Sequence, residues 1–399
     1  MISVEKAFQK IVNTAKPLPT ERLAIAEASG RVLAGAIKAR RSQPGCDMSA
    51  MDGYAVRSAD LKKGDSEAKL TLIGESAAGA PYSGTLKTGE TVRIFTGAAV
   101  PDGADQVVIQ ENTGPTDTGI FTDDAPETGK NIRYAGYDFA DGQTLLDAGV
   151  FISPKSIGLI ASAGHSHAMV YRAPKIALLS TGDELASPDQ KKFKPHQTVN
   201  STIPQLEAMI ADTGATSVNL GQAGDNLKSL TDAIKKGADA DILVTIGGAS
   251  VGDKDLMQQA LAREGMELNF WKVAMKPGKP LIFGKIDNQY VLGLPGNPVS
   301  AFVCSLMFLR PLIDQLMGRP APQPTGVPLP VATNLPANGP RQDYMRARLI
   351  GNPGERHVDP AVSQDSGHLS VLALTDGLIV RPPHAEAVEA GTTVPFIPF

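Results

Sequence analysis

Between Tyr171 and Gly318 the chain alternates strand-like apolar runs with amphipathic helices, and this constrains the fold more than any other feature of the 399 residues. KIALLS, SVNLG and DILVTI are each followed by a Gly- and acid-rich loop and then a helical pattern; LNFWKV, PLIFGK and YVLGL come after. Such alternation predicts βαβ crossovers and a mostly parallel sheet covered by helices on both faces. In a sheet of that kind ligands sit beyond the carboxyl ends of the strands. Thr202 and Gln205 predict a capping box for a helix through Asp212, with Gly214 beyond its end. Asn297 and Pro298 suit the start of a further helix, which Pro311 is predicted to kink or end.

The flanking regions differ in texture. Ser3 is placed to cap a helix whose apolar face is Val4, Ala7, Phe8, Ile11 and Ala15. A strand-like ERLAI follows, then a predicted helix to Leu33. From Pro44 to Arg133, short runs such as KLTLIG and DQVVIQEN between Gly, Pro and Asp clusters predict an all-β module. KSIGLIASAG resumes a helical pattern, so the β module reads as an insertion. Five prolines between Pro320 and Pro330 predict a semi-rigid linker, and YMRARLIG, HVDPAV and GLIVRP are strands of a terminal β domain.

A hydrophobic content of 42% is enough for buried cores, and a net charge of -4 restricts any basic site to a local patch and argues against broad nucleic-acid binding. Cys46 and Cys304 have no metal or redox spacing, which fits a reduced, cytoplasmic setting. Glu5 interrupts any leader pattern, and the longest apolar run, Val299 to Leu309, is too short to span a bilayer, so no membrane partner is expected.

Four polar clusters fall just after predicted strands: STGDEL, GQAGDN, IGGASVGDKD and LPGNPVS. In the last, Asn297 and Ser300 stand at a helix start, where free N–H groups and the helix dipole favour an anion. Ser250 adds a hydroxyl donor. Glu184, Asp225 and Asp255 converge if each lies on the same rim, and clustered carboxylates of that kind suit Mg2+ shared with phosphates and water; singly, each reads as a cap or a solvated acid. WKVAMKPGKPLIFG sets Lys272, Lys276 and Lys279 within eight residues, around Pro277-Gly278. Lysine serves an oxyanion as a point charge, so the run is either an anion cradle or a solvated hairpin. Asp52-Gly53 alone reads as a bare hairpin tip. His165 and His167 lack a third metal ligand at a recognisable spacing, and neither a nucleophile elbow nor a P-loop occurs.

Taken together, SAMDGYAV, STGDEL, GGASVGDKD, MKPGKP and GLPGNPVSA resemble the molybdopterin molybdenumtransferases, the MoeA family that includes the gephyrin E domain. The likeness runs over nearly the whole chain. It implies an α/β fold with all-β modules in four domains: an elongated helical domain (1–43 plus 134–170), an inserted β domain (44–133), a three-layer α/β molybdopterin-binding domain (171–318) and a C-terminal β-barrel domain (319–399). It implies a homodimer whose cleft pairs the α/β domain of one subunit with the inserted domain of the other. The implied reaction inserts molybdate into the dithiolene of adenylylated molybdopterin and releases AMP with Mg2+. By motif, Asp52, Asp255, Lys272 and Lys276 become catalytic candidates, and Glu184, Asp225 and Asp255 metal ligands. Ser250, Lys279, Pro277, Asn297, Ser300, Arg346 and Ser366 become the molybdate or phosphate set, with Arg348 an alternative to Arg346, and Asp138 a further acidic site residue. Met48 stands where the family has Asn and Ala249 where it has Val, and neither removes a charged group.

Two other readings share parts of this pattern. A molybdopterin adenylyltransferase has similar loops but lacks the inserted and terminal β domains. A non-catalytic scaffold of the gephyrin type would keep the architecture and lose the acids or lysines, all of which stand here. Transient contacts with an adenylyltransferase and with apo-molybdoenzymes are the expected partnerships.

Overall fold

The computed structural model describes residues 1–62, 68–248 and 256–399, so Ser250, Asp253 and Asp255 lie outside the described residues. Two compact units result, Met1–Glu21 with Gly30–Ala34 and Met169–Phe399, and Arg22–Ser29 with Gly35–Ala168.

In the first unit the Ile242–Ile246 strand is buried at every position because strands flank it on both sides. It pairs in parallel with Lys175–Thr181 and with Gln289–Leu294. The six-stranded sheet continues to Thr216–Ala223 on one side, and through Ile282–Ile286 to Glu267–Trp271 on the other. Only Ile282–Ile286 runs against its neighbours. Side-chain alternation divides the strands between two cores. Ile176, Leu178, Ile242, Val244 and Leu292 pack with helices Val4–Thr14, Thr202–Ala211 and Pro298–Cys304, while Ala177, Leu179, Leu243 and Val291 meet Leu227–Lys236 and Leu256–Arg263. The predicted helix-covered sheet is therefore present. Ser3 caps the first helix as expected, its Oγ accepting from Lys6 N at 3.2 Å.

The terminal β strands also belong to this unit. Gln342–Ile350 pairs with His357–Pro360 and Gly377–Arg381, and Thr393–Pro398 links Gly377–Arg381 to Val327–Pro330. A bridge between Val331 and Val358 then brings the last strand back to the first, which closes the sheet into a barrel. Tyr344, Leu378, Val380 and Ile397 share one core with Cys304, Phe308 and Leu312, so barrel and helix layer are packed as one body.

The second unit carries a six-stranded sheet in the order Gln106–Ile109, Gly53–Val56, Glu90–Ile94, Ala68–Ser76, Gly119–Thr122, Thr113–Pro115. This is the all-β module. Its helix Pro154–Ser162 begins in a capping box formed by Ser153 and Ser156.

Several local expectations are corrected. After Ala24 only the short 3-10 turn Ile25–Glu27 forms, and Gly30 with φ +82° turns the chain where a helix to Leu33 was expected. The Thr202–Gln205 capping box is not made: Ser201 is the N-cap, and Pro204, at the third helical position, has no N–H to give it. Pro311 does not end its helix. A π turn, Ser305–Leu309, precedes it, with Arg310 N bonded to Ser305 O, and Arg310–Leu316 continues in α form. The resulting helical run Pro298–Leu316 has the length and composition of a membrane span, yet 78% of it is buried inside the protein, which makes it a core helix. The terminal domain holds a helix, Leu369–Ala373, that its sequence did not announce.

One further strand was not foreseen. Met275–Lys276, in the middle of the lysine run, pairs in parallel with Gln342–Ile350 of the barrel. Two residues later Gly278 adopts φ +106° and lies so close to Cys304 that a Cβ would overlap its Sγ. Burial pushes the Cys304 thiol up, so it stays an S–H donor, 3.7 Å from Gly278 O. Gly278→Ala is expected to destabilise this unit by about 2 kcal/mol or more, from left-handed strain plus overlap. Chemical denaturation checks it: adding Cys304→Ala recovers part of the loss, whereas an unchanged midpoint in the single variant would show that the turn is not tightly packed.

Candidate functional site

A cavity of about 760 Å3 opens at the carboxyl ends of the parallel strands. Thr181 and Gly182 wall it after the first strand, Asp225 after the second, Gly247 after the third, and Pro295 to Pro298 after the fourth, over a floor that includes Leu230 and Met257. Gly182 has φ +132°, and the Glu184 carboxylate folds back over it, into space that a Cβ would fill. Glu184 and Asp225 are both exposed at this rim, and Asp225 N donates to Asp183 Oδ1 at 3.4 Å, tying the two acidic loops together. Two hard oxygen donors at one cavity mouth fit Mg2+, which takes one or two carboxylates and fills its remaining positions with phosphate and water. Among the described residues no cluster of three metal-ligating side chains occurs, and the third acid of the sequence reading, Asp255, lies outside them.

Asn297 and Ser300 line the opposite wall. Asn297 occupies the N-cap position, with Pro298 at the start of the helix, but its side chain does not cap. Its Nδ2 donates instead to Ser366 Oγ at 3.1 Å, and its Oδ1 is buried with no partner among the described residues. An amide oxygen on a cavity wall is an acceptor for N–H or O–H groups. Ser366 is held there by Arg346. That side chain is 2% exposed, and its Nη1 and Nη2 donate to the carbonyls of His368 (3.3 Å) and Ser363 (3.1 Å), at the two ends of the Ser366 loop. Burial pulls the Arg346 guanidinium down from its ordinary range, opposed by Asp365 and Asp343. Arg346 thus shapes the loop that carries Ser366. Arg348, the alternative, donates from Nε to Leu374 O at 2.8 Å.

The lysine run is not a solvated hairpin. Lys272 has φ +67°, and its Nζ sits 3.6 Å from the centre of the Trp271 ring. Lys276 Nζ meets Asp343 Oδ2 at 3.1 Å. Lys279 O accepts from both Val273 N and Leu281 N at 3.0 Å, which closes the loop on itself, and Pro280 reaches the cavity wall. The cavity therefore gathers Glu184, Asp225, Asn297 and Ser300, and Ser366 joins through Asn297. The side chains of Lys272, Lys276, Lys279, Pro277 and Arg346 stand outside its lining.

Asp52 and Asp138 belong to the second unit. Asp52 Oδ1 accepts from Thr96 N (2.7 Å) and Thr96 Oγ1 (2.8 Å), and these bonds, with Arg93 nearby, hold its carboxyl below the usual range. Asp52 is thus an anchored turn residue. Asp138 is exposed, with its backbone N–H bonded to Gln43 O at 2.9 Å. Sequence reasoning missed Asp183, which neighbours a chosen acid, and Asp343, whose signal is an acid inside the alternating strand QDYMRARLI.

Comparison with known proteins was made on sequence and on structure. Family models described as the MoeA N-terminal region (domain I and II), a probable molybdopterin binding domain and the MoeA C-terminal region (domain IV) match residues 2–164, 177–315 and 328–399. A molybdopterin molybdenumtransferase of Haemophilus influenzae is 34% identical, with 100% of this chain and 99% of that protein covered. One from Nostoc sp. is 35% identical, covering 94% and 88%. The crystal structure of a molybdopterin biosynthesis moea protein from Pyrococcus horikosii superposes with a TM-score of 0.85 at 28% identity, over 100% of this chain and 99% of that one.

The Asp52 bonds set a sign for pH dependence. Because its folded-state pKa is lowered from 3.8, the carboxylate's contribution is fully present above the unfolded value of about 3.9 and is lost as pH falls through the folded value. An NMR titration of the Asp52 carboxyl carbon is expected to give a value below 3.8. Thr96→Ala moves it only part of the way back, since the backbone N–H, the larger cause, remains. Titration at or above the ordinary value would contradict this anchoring.

Proposed function

The chain belongs to the molybdopterin molybdenumtransferases, transferase enzymes of molybdenum cofactor biosynthesis, and from that premise we propose that it inserts molybdate into the dithiolene of adenylylated molybdopterin, releasing AMP in a Mg2+-dependent step. One observation carries this reading: a cavity at the carboxyl edge of the sheet sets Glu184 and Asp225 across from Asn297, whose amide reaches Ser366. Acids at one wall suit a metal-bound phosphate, the Ser300 and Ser366 hydroxyls can donate to an oxyanion, and the Asn297 Oδ1 can accept from an N–H or O–H group of the substrate.

Glu184 and Asp225, with Asp255, are the residues that would hold Mg2+, which when bound offsets the charge on the phosphate oxygens and favours AMP as a leaving group. Lys276, Lys272 and Lys279 form the cationic side, and Ser366, Ser250 and Ser300 the hydroxyl side, of the molybdate or phosphate site. Pro277 fixes the lysine turn through its restricted φ, and Arg346 acts by shaping the Ser366 loop. Asp52 and Asp138 are assigned to the same reaction on the family likeness. A homodimer in the cytoplasm, with transient contacts to an adenylyltransferase and to apo-molybdoenzymes, completes the proposal. We place domain borders at 1–43 plus 134–170, 44–133, 171–318 and 319–399, and the ends of the matched regions near 315 and 328 support the last division.

The test is AMP release from adenylylated molybdopterin by the purified protein with Mg2+, with and without molybdate. Release is expected to depend on molybdate. Glu184→Gln and Asp225→Asn are expected to raise the half-saturating Mg2+ concentration by about tenfold or more, the scale on which even supporting residues of metal sites act, and to leave half-saturation by molybdate unchanged. Lys276→Met should do the reverse. No release under either condition would move the chain to the scaffold class.

A further inference from the structure

The acid that holds Lys276 comes from the barrel, 67 positions further along the chain. Strand register explains how. Lys276 is the cross-strand partner of Asp343 in the parallel pair, and Asp343 is the partner of Arg381 in the antiparallel pair beside it. Cross-strand partners project to the same face of a sheet. Lys276, Asp343 and Arg381 therefore form one row across three strands, with a carboxylate between two cations. One backbone and one side-chain hydrogen bond hold the row in register: Gln342 N donates to Ala274 O at 2.9 Å and Arg341 Nη1 to Met275 O at 3.4 Å.

The three groups differ in access. The Lys276 side chain is 49% exposed and that of Asp343 only 12%, with 3.1 Å between Nζ and Oδ2. Arg381 is 3% exposed; its Nη2 donates to the carbonyls of Pro336 and Glu386, and its Nη1 is buried with no partner among the described residues. An ammonium group has three donors. One meets Asp343, and the others stay available on the open side. A free lysine would lose its side-chain freedom on gripping an oxyanion, whereas one already held by a near-buried carboxylate has lost much of it on folding. The carboxylate also repels an approaching anion, and the Arg381 charge behind it offsets that repulsion, leaving the row net positive.

We infer that Asp343 is a positioning residue for oxyanion binding, holding the Lys276 ammonium in place from the barrel while Arg381 balances its charge. This rests on the assignment of Lys276 to the oxyanion site under the proposed function. The same row makes the barrel part of the site's machinery.

A double-mutant cycle tests it, with molybdate binding to the full-length protein read by titration calorimetry for the wild type, Asp343→Asn, Lys276→Met and the double variant. Asp343→Asn is expected to weaken binding about tenfold, the scale of coupling for groups in contact. In the Lys276→Met background the same change should have no further effect. Equal weakening in both backgrounds would show that Asp343 supports the barrel generally, and no weakening in the wild-type background would show that Lys276 needs no holder; either overturns the inference while the functional reading stands. A wild type that binds no molybdate overturns the functional reading and this inference with it. Circular dichroism verifies folding, and Asp343→Ser, which also removes the carboxylate, replaces an Asp343→Asn variant that does not fold, with the same comparison deciding. If neither folds, the carboxylate is needed for structure and the positioning role is rejected.

Discussion

The parallel pairing of Met275–Lys276 with the barrel strand Gln342–Ile350 is the contact on which the order of the lysine run depends. Without it the run MKPGKP would be a mobile basic loop, and a flexible lysine loses considerable rotamer entropy each time it binds. Two further constraints act on the same segment. Gly278 is pressed against Cys304 of the helix that starts beside the cavity, and the Lys279 carbonyl closes the loop through Val273 and Leu281. Strand, turn and helix thus fix the loop from three directions, and the shared core of Tyr344, Val380, Cys304 and Phe308 makes them one body. A change in barrel packing would be felt at the lysines.

The parallel sheet was legible because its signal is local and redundant. ILVTI can be buried on both faces only in the middle of a helix-covered sheet, and the Gly and acid residues after each strand mark its carboxyl edge. Asn297 and Pro298 were legible for the same reason, since the start of a helix has a short sequence signature. The local misreadings have one cause: the same residue types allow neighbouring solutions. Thr202 fits a cap, but Pro204 moves the helix start by one position. Pro311 fits a kink or a stop, and of these the stop is excluded, since a π turn before it lets the helix continue.

What the sequence did not disclose is long-range pairing. No pattern within MKPGKP tells that Met275 and Lys276 form a strand, because two residues have no period to detect. Asp343 could be read as an acid facing solvent until the register opposite Lys276 and Arg381 is known. Arg346 was chosen through the family likeness as a ligand-binding cation, and its geometry gives it a different immediate task, since its donors meet carbonyls of the Ser366 loop. A buried arginine in an alternating strand is a signal of such a task, because burying a guanidinium requires acceptors for most of its five N–H groups.

A chain with net charge -4 can bind a dianion only if charge is organised locally. Screening reduces the influence of exposed charges beyond about 8 Å at physiological ionic strength, so the acids scattered over the surface matter little and those near the ligand matter greatly. The fold meets this by separation: Glu184 and Asp225 stand at the ends of the first two parallel strands, while Asn297 and Ser300 line the other wall, with the Ser366 hydroxyl bonded to Asn297 behind it. The one carboxylate set directly on the lysine run, Asp343, is near-buried and has a second cation opposite it in register. An acid placed there without Arg381 would cancel the charge of Lys276; with Arg381, it restrains the lysine and leaves the row positive. If the lysine run is the oxyanion site proposed above, specificity there depends less on how many cations are present than on which of them the barrel holds still.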